Sequence, residues 1–113
     1  MTELEQEQEL QKRENEERLA REQLKADLSE TLSTPAGRRT LEHIVYELGG
    51  LQSIAFAADA RQHAFNEGQR RVGIELDREL ERADVDRWAQ MHFEHLERIR
   101  LRVRDPKPNK TDH

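Results

Sequence analysis

Apolar residues recur along the chain at helical spacing, in three separate stretches. Leu24, Leu28 and Leu32 follow at steps of four. Leu41, Ile44, Val45 and Leu48 follow at i, i+3, i+4 and i+7. Val85, Trp88, His92, Leu96, Ile99 and Val103 are separated by steps of 3, 4, 4, 3 and 4. This is the period of one helix face laid against a neighbour. Between the last two stretches, Phe65, Val72, Leu76, Leu80 and Ala83 share a face, with Gly68 near it. The pattern predicts an all-α fold: a long N-terminal helix and about three shorter ones around a small core.

Punctuation sets the boundaries. Residues 2–32 hold no Gly or Pro and are rich in Glu, Gln, Leu, Arg and Ala, which are good helix formers. Pairs such as Glu9–Arg13, Glu14–Arg18 and Glu17–Arg21 place an acid four residues before a base, the favourable order. Leucines are sparse in the first half of this segment and regular in the second. One long helix follows, solvated or partner-bound at first and packed over its last two turns. Its apolar residues keep no strict heptad, so a long self-contained coiled coil is not expected. Ser33-Thr34-Pro35-Ala36-Gly37 breaks it, with Ser33 or Thr34 capping the next helix and Pro35 at its first position. Gly49-Gly50 ends that second helix, because Gly takes a left-handed cap without strain.

Residues 51–59 form a connector that is apolar for a loop, so Ile54 and Phe56 are expected to tuck under the helices. A third helix runs from Asp59 or Ala60 to Arg82 and a fourth starts at Asp84. The stretch from Arg98 to Arg104 alternates Arg98, Arg100, Arg102 and Arg104 with Ile99, Leu101 and Val103. That is also the period of a β-strand. A helix completing the seam from Val85, a strand added to a partner's sheet, and DNA contact through the arginines all stand as readings. Two prolines in residues 105–113 exclude regular structure there. The expected organisation is a polar helix over 1–32, a helical domain over 33–104 and a flexible tail over 105–113, the basic run being 98–110.

Composition narrows the picture. Of 113 residues, 34% are hydrophobic and 38% charged, against about 45–50% and about 25% in an ordinary domain. The core must be small, and part of the chain must lean on a partner. All five aromatics, Tyr46, Phe56, Phe65, Trp88 and Phe93, fall between 46 and 93, which places the expected core. No apolar run approaches the roughly 20 residues of a membrane span. The acidic start is unlike a signal or transit peptide. The net charge is −5, and its distribution is uneven. Residues 1–30 carry ten acids and five bases, whereas residues 98–110 carry six bases and one acid. An acidic head and a basic tail suit polar docking or head-to-tail association.

Little in the chain suggests catalysis. There is no cysteine, which excludes disulfides and thiolate chemistry. His92-Phe-Glu-His95 puts two imidazoles on one helix face, but zinc needs three or four ligands and no further ligand is evident. No serine lies in a nucleophile elbow and no Gly-rich loop is followed by the Lys and Ser/Thr that hold phosphate. The carboxylates read as solvated helix faces. No enzyme activity, cofactor or metal is expected.

The most informative run is Phe65-Asn66-Glu67-Gly68-Gln69-Arg70, with Gly73 beyond it. Each glycine inside a helix costs about 1 kcal/mol against Ala, so each needs a reason. Close approach of a neighbouring helix at Gly68 and Gly73 is the favoured one. The polar run Asn66, Glu67, Gln69, Arg70 and Arg71 beside Phe65 is also a candidate recognition surface.

Together, Thr34-Pro-Ala-Gly-Arg-Arg39, an apolar helix ending in Gly, a short connector and Phe65-Asn-Glu-Gly-Gln-Arg70 resemble a family of small tailed-phage proteins. The likeness covers about residues 32–82. These proteins are encoded near portal and capsid genes in head-morphogenesis clusters, mostly of short-tailed phages. The resemblance implies a structural component of the virion, present in multiple copies and bound to portal, neck or inner capsid. It implies a location in the virion, and in the host cytoplasm during assembly. The alternatives are a nucleic-acid-associated packaging or ejection protein using Arg98, Arg100, Arg102 and Arg104, or a scaffold or chaperone absent from the finished particle. The candidate protein interface is Phe65, Asn66, Glu67, Gly68, Gln69 and Arg70, with Ile99, Leu101 and Val103.

Overall fold

A computed structural model of the chain describes residues 2–51 and 59–104. Among these residues every regular element is helical. α1 spans Glu3–Leu32, α2 spans Pro35–Glu42 and continues into a π-helical segment, His43–Leu48. α3 spans Ala60–Ala83 and α4 spans Val85–Arg104.

The termini of these helices follow from short polar side chains. Thr2 caps α1, its hydroxyl accepting from the Glu5 amide at 3.2 Å. Thr34 caps α2, accepting from the Gly37 amide at 3.0 Å, with Pro35 at the first position. Asp59 accepts from the amides of Arg61 and Gln62 at the start of α3. Asp84 accepts from the Arg87 amide as α4 begins, and the Ser29 hydroxyl of α1 bonds its other oxygen. Each cap satisfies amides that the helix itself leaves without partners.

The molecule is drawn out, 76 Å along its longest axis and 20 Å along its shortest. α1 accounts for much of this, because thirty residues at 1.5 Å each reach about 45 Å. Every residue from 3 to 27 is exposed. Packing begins at Leu28 and is complete at Leu32, which has no exposed surface. The core is five residues: Leu32, Leu41, Val45, Leu80 and Met91. Leu28, Tyr46, Leu51, Leu76 and Trp88 close around it.

Three expectations change here. The core is not confined to residues 46–93, since Leu32, Leu41 and Val45 precede them, and the aromatics do not make its centre: Phe65 and Phe93 are 65% and 63% exposed. Tyr46 and Trp88 lie at its edge, because each carries a polar group that needs a partner. The seam predicted on α4 packs only in part: Trp88 and His92 lie against the core and bond Asp77 of α3. Met91 and His95 are buried, whereas Val85, Leu96 and Val103 are exposed. The packed face continues from there by about one residue step, or roughly 100°, around the helix. On α3 the predicted face packs over its second half, at Leu76 and Leu80, while Phe65 and Val72 are exposed. Residues 98–104 are helix, so the strand reading is overturned. Ile99, Leu101 and Val103 are nonetheless exposed and do not extend the core. Helical bonding satisfies their backbone locally, while no facing helix reaches that end.

The π-helical segment explains another departure. The Gly49 amide donates to the carbonyl of Ile44, five residues back, at 2.7 Å. The wide turn slips the register after Val45. Leu41 and Val45 therefore stay buried, and Leu48 is carried outward to 56% exposure. The chain then leaves the helix at Gly50, whose φ of 58° is the left-handed conformation. The expected placement of Ile54 and Phe56 lies outside the described residues, as does the tail over 105–113.

Candidate functional site

The run Thr34–Arg39 is the joint that sets the domain's geometry. Thr34 and Pro35 start α2, as described. Gly37 sits where a Cβ would be 1.7 Å from the carbonyl oxygen of Thr31, so only glycine lets α2 fold back against the end of α1. Arg38 is buried. Its guanidinium donates to the carbonyl of Leu32 at 3.0 Å and to Glu94 of α4 at 2.7 Å. One side chain thus closes the C-terminus of α1 and ties two further helices to it.

A second polar network crosses the core beside it. The imidazole of His92 lies between the Tyr46 hydroxyl, bonded through Nδ1, and Asp77 Oδ1, 2.6 Å from Nε2. Trp88 Nε1 donates to the same Asp77 oxygen at 2.9 Å. His95 stacks on the Tyr46 ring, their centroids 3.5 Å apart, and bonds Glu42 at 2.7 Å through Nδ1. Arg98 completes the set as an ion pair with Glu42. Burial pushes the Asp77 carboxyl up, but hydrogen bonds from His92 and Trp88, helped by the His92 charge, hold it below the usual range. Burial is also the first cause that keeps His95 below the ordinary histidine value, followed by His92 and Arg102, against an opposing pull from Glu47. Burial, then Asp77, raises Tyr46.

Carboxylate, imidazole and phenol in a row resemble a proton relay. The raised Tyr46 hydroxyl stays protonated at neutral pH, however, which suits a hydrogen-bonding tie and not a nucleophile. The network therefore specifies how α2, α3 and α4 meet. Sequence reasoning placed His92 on a packing seam but missed Asp77 and Glu42, read as solvated carboxylates. The signal available was that Asp77 and His92 each fall on the inward face of their helices.

Above this core lies an apolar groove between the π-helical segment and α3. Ile44 and Leu48 form one wall; Phe65, Val72 and Leu76 form the other, around a space of about 480 Å³. Its two glycines differ. Gly73 is buried against Gly49, where a Cβ would be 2.7 Å from the Gly49 oxygen; close approach is its reason. Gly68 has nothing within 4 Å of its Cβ position, so the expectation of close packing there is overturned. Gly68 instead leaves the groove open. Gln69 reaches across to the carbonyl of Leu48. Asn66 and Arg70 are half-buried and Glu67 exposed. The Nε of Arg70 is buried with no hydrogen-bond partner among the described residues.

The basic end of α4 is less uniform than its sequence suggests. Helical geometry sends Arg98 and Arg102 to one side and Arg100 and Arg104 to the other. Arg98 is occupied by Glu42, and Arg100 pairs with Glu97 at 3.0 Å. Arg98 and Arg102 line a small polar cleft with Arg39, Glu42, Glu47 and His95, about 220 Å³ in volume. Ile99, Leu101 and Val103 are not brought to the groove residues: neither they nor any other α4 residue lines it. Among the described residues no cluster of His, Asp and Glu is arranged to hold a metal, and no helix is long and apolar enough to cross a membrane.

Fold and surface together define a small all-α protein with a projecting polar helix and an apolar groove over a polar core. Residues 28–91, more than half of the chain, match the family model of Bbp19-like phage proteins, and the chain belongs to that family. No curated protein and no solved structure shows a match. The matched span contains the Thr34–Arg39 joint, both groove walls and Glu42, Tyr46, Asp77 and Trp88 of the network, and it ends at Met91, one residue before His92. It leaves out the exposed part of α1 and the basic end of α4.

Proposed function

We propose that this phage protein is a non-enzymatic structural component of the virion, which binds portal, neck or inner capsid in multiple copies within a symmetric assembly. The observation that carries this reading is the groove, built around Phe65–Arg70 within the family-matched span. A large aromatic exposed beside an open apolar channel, flanked by Asn66, Glu67 and Gln69, has the make-up of a protein-binding hot spot with a polar rim. The bare α1 supports the same reading. A helix that is polar all round has no face to bury within its own chain, and repeated neighbours in an assembly supply polar contacts for it.

DNA contact is the weaker reading. Two of the four arginines of α4 are already paired with glutamates, and Tyr46, which lines the cleft with Arg98 and Arg102, is already stacked on His95 and so is not free to stack a base.

Mass spectrometry of purified virions, with copy number taken relative to portal, tests the proposal. The protein is expected at a fixed ratio, and Gly68→Leu, placed where nothing meets a Cβ, should lower its incorporation while leaving the melting temperature unchanged or raised. Absence from mature particles that still require the gene would point to a scaffold or chaperone. Normal incorporation of both Gly68→Leu and Phe65→Glu would remove the groove from the argument.

A further inference from the structure

The part of the α4 seam that fails to pack within the chain has a use of its own. Val85, Phe93, Leu96, Ile99 and Val103 form a continuous stripe on α4, exposed by 57%, 63%, 56%, 37% and 78%. No described element covers it. Along the stripe, Val85, Ala89, Leu96, Ile99 and Val103 keep the four-and-three spacing of a two-helix seam, with the half-buried His92 at its inner edge. Such a stripe on a chain with so few apolar residues is costly to leave in water.

Two features say what covers it. First, the seam is nearly palindromic about residue 94. Val85 mirrors Val103 and Ala89 mirrors Ile99, while Leu96 falls opposite the inward-turned His92. A helix of this pattern laid antiparallel on its own copy meets apolar residues at both ends and beside its centre. Second, the charges are polarised. Asp86 lies in the first turn, and Arg102 and Arg104 lie in the last. Asp86, Arg100 and Arg104 fall on the same flank of the stripe. A parallel pair would set arginines against arginines, whereas an antiparallel pair sets Asp86 against the other copy's Arg100 and Arg104.

We propose that the protein forms a symmetric dimer through an antiparallel pairing of α4 with α4 of a second copy. The contact is isologous and closes on itself. It leaves the groove and α1 free on both subunits for other partners, and it does not depend on the virion reading.

The absence of cysteine allows a direct test by oxidation of introduced thiols in the full chain. Residues 85 and 103 lie about 27 Å apart along one helix. The double variant Val85→Cys with Val103→Cys should therefore cross-link between copies, and either single variant should not. Sedimentation should find the wild-type chain dimeric. Leu96→Glu should weaken the dimer by about tenfold or more with unchanged helix content, since Leu96 is exposed and lies outside the core. Arg100→Glu with Arg104→Glu should weaken it too, and adding Asp86→Arg should restore it. A wild-type chain that stays monomeric overturns the proposal, as does cross-linking of a single variant or failure of the double variant to cross-link. Since incorporation into virions is measured separately, a monomer found at fixed ratio in particles would sink the dimer alone.

Discussion

The body of the molecule, residues 28–104, and the arm that precedes it, residues 3–27, are built from the same helical backbone by different means. In the body, helices are held by five buried apolar residues and by two polar networks that tie α2 to α4 and α3 to α4. In the arm, no residue is buried. Its helix rests on intrinsic propensity, the Thr2 cap and pairs such as Glu9–Arg13, 3.8 Å apart and largely exposed. Such exposed pairs contribute at most a few tenths of a kcal/mol each. Local preference is thus enough to write a helix, and only burial makes it part of a cooperative unit. The family match follows the same line: it begins at residue 28, where burial begins.

The sharpest way to break the comparison is to remove equal side chains from the two regions. Leu32→Ala should cost about 2–5 kcal/mol in denaturant unfolding, since it empties a fully buried site. Leu10→Ala and Leu19→Ala should stay within about 0.5 kcal/mol. A large loss at Leu10 would show that the arm is already packed in the free protein.

Charge gives the next contrast. Arg38→Ala strands Glu94 and the Leu32 carbonyl and should cost about 3 kcal/mol. Arg13→Ala should change stability by less than about 0.5 kcal/mol. Equal effects would mean that the Arg38 pairs are solvated in solution.

Glycine separates joint from groove. Gly37→Ala forces a Cβ into the backbone of Thr31 and should cost about 1–3 kcal/mol. Gly68→Ala meets nothing and should be neutral or stabilising by up to about 1 kcal/mol through helix propensity. Thermal melts of the two variants check this, and destabilisation by Gly68→Ala would contradict the open groove.

The smallest effect is with pH. The folded chain holds His95 below its ordinary value of 6.5. As pH falls through that value the unfolded chain takes up a proton that the folded chain resists, so stability falls. Asp77 works at lower pH. Its stabilisation is fully present above the ordinary carboxylate value of 3.8 and is lost as pH falls through the lower folded value. His95→Gln should flatten the first step in a stability–pH profile. A step unchanged by that substitution would assign it to another group.

Helix boundaries were legible because their causes are local. Thr34-Pro35, Asp59, Asp84 and the Gly49-Gly50 stop act within one turn of themselves, and each lies where the sequence predicts. The bare first half of α1 was legible for the same reason, since no periodic apolar face exists there to bury. Faces were legible only in part. On α4 two faces adjoin along Trp88 and His92, one continuing through Val85, Leu96 and Val103 and one through Met91, His95 and Arg98, and hydropathy favours the first. The second is buried because Asp77, Glu42 and Tyr46 supply partners from other helices, which periodicity cannot register. Gly68 and Gly73 show the same limit: both interrupt one helix, and only the position of Gly49 tells the spacer from the opening.

By itself, then, the sequence determined an all-α chain, its breaks, its small core and its unburied polar arm. These follow from propensity, capping and the count of apolar residues, all properties of segments a few residues long. Tertiary structure alone decided which face of each helix is inside, which glycine touches a neighbour and which carboxylates are buried. Those depend on groups about fifteen to fifty-six residues apart along the chain, such as His92 with Asp77 and Arg38 with Glu94, and their cost of burial is offset only once the partner is in place.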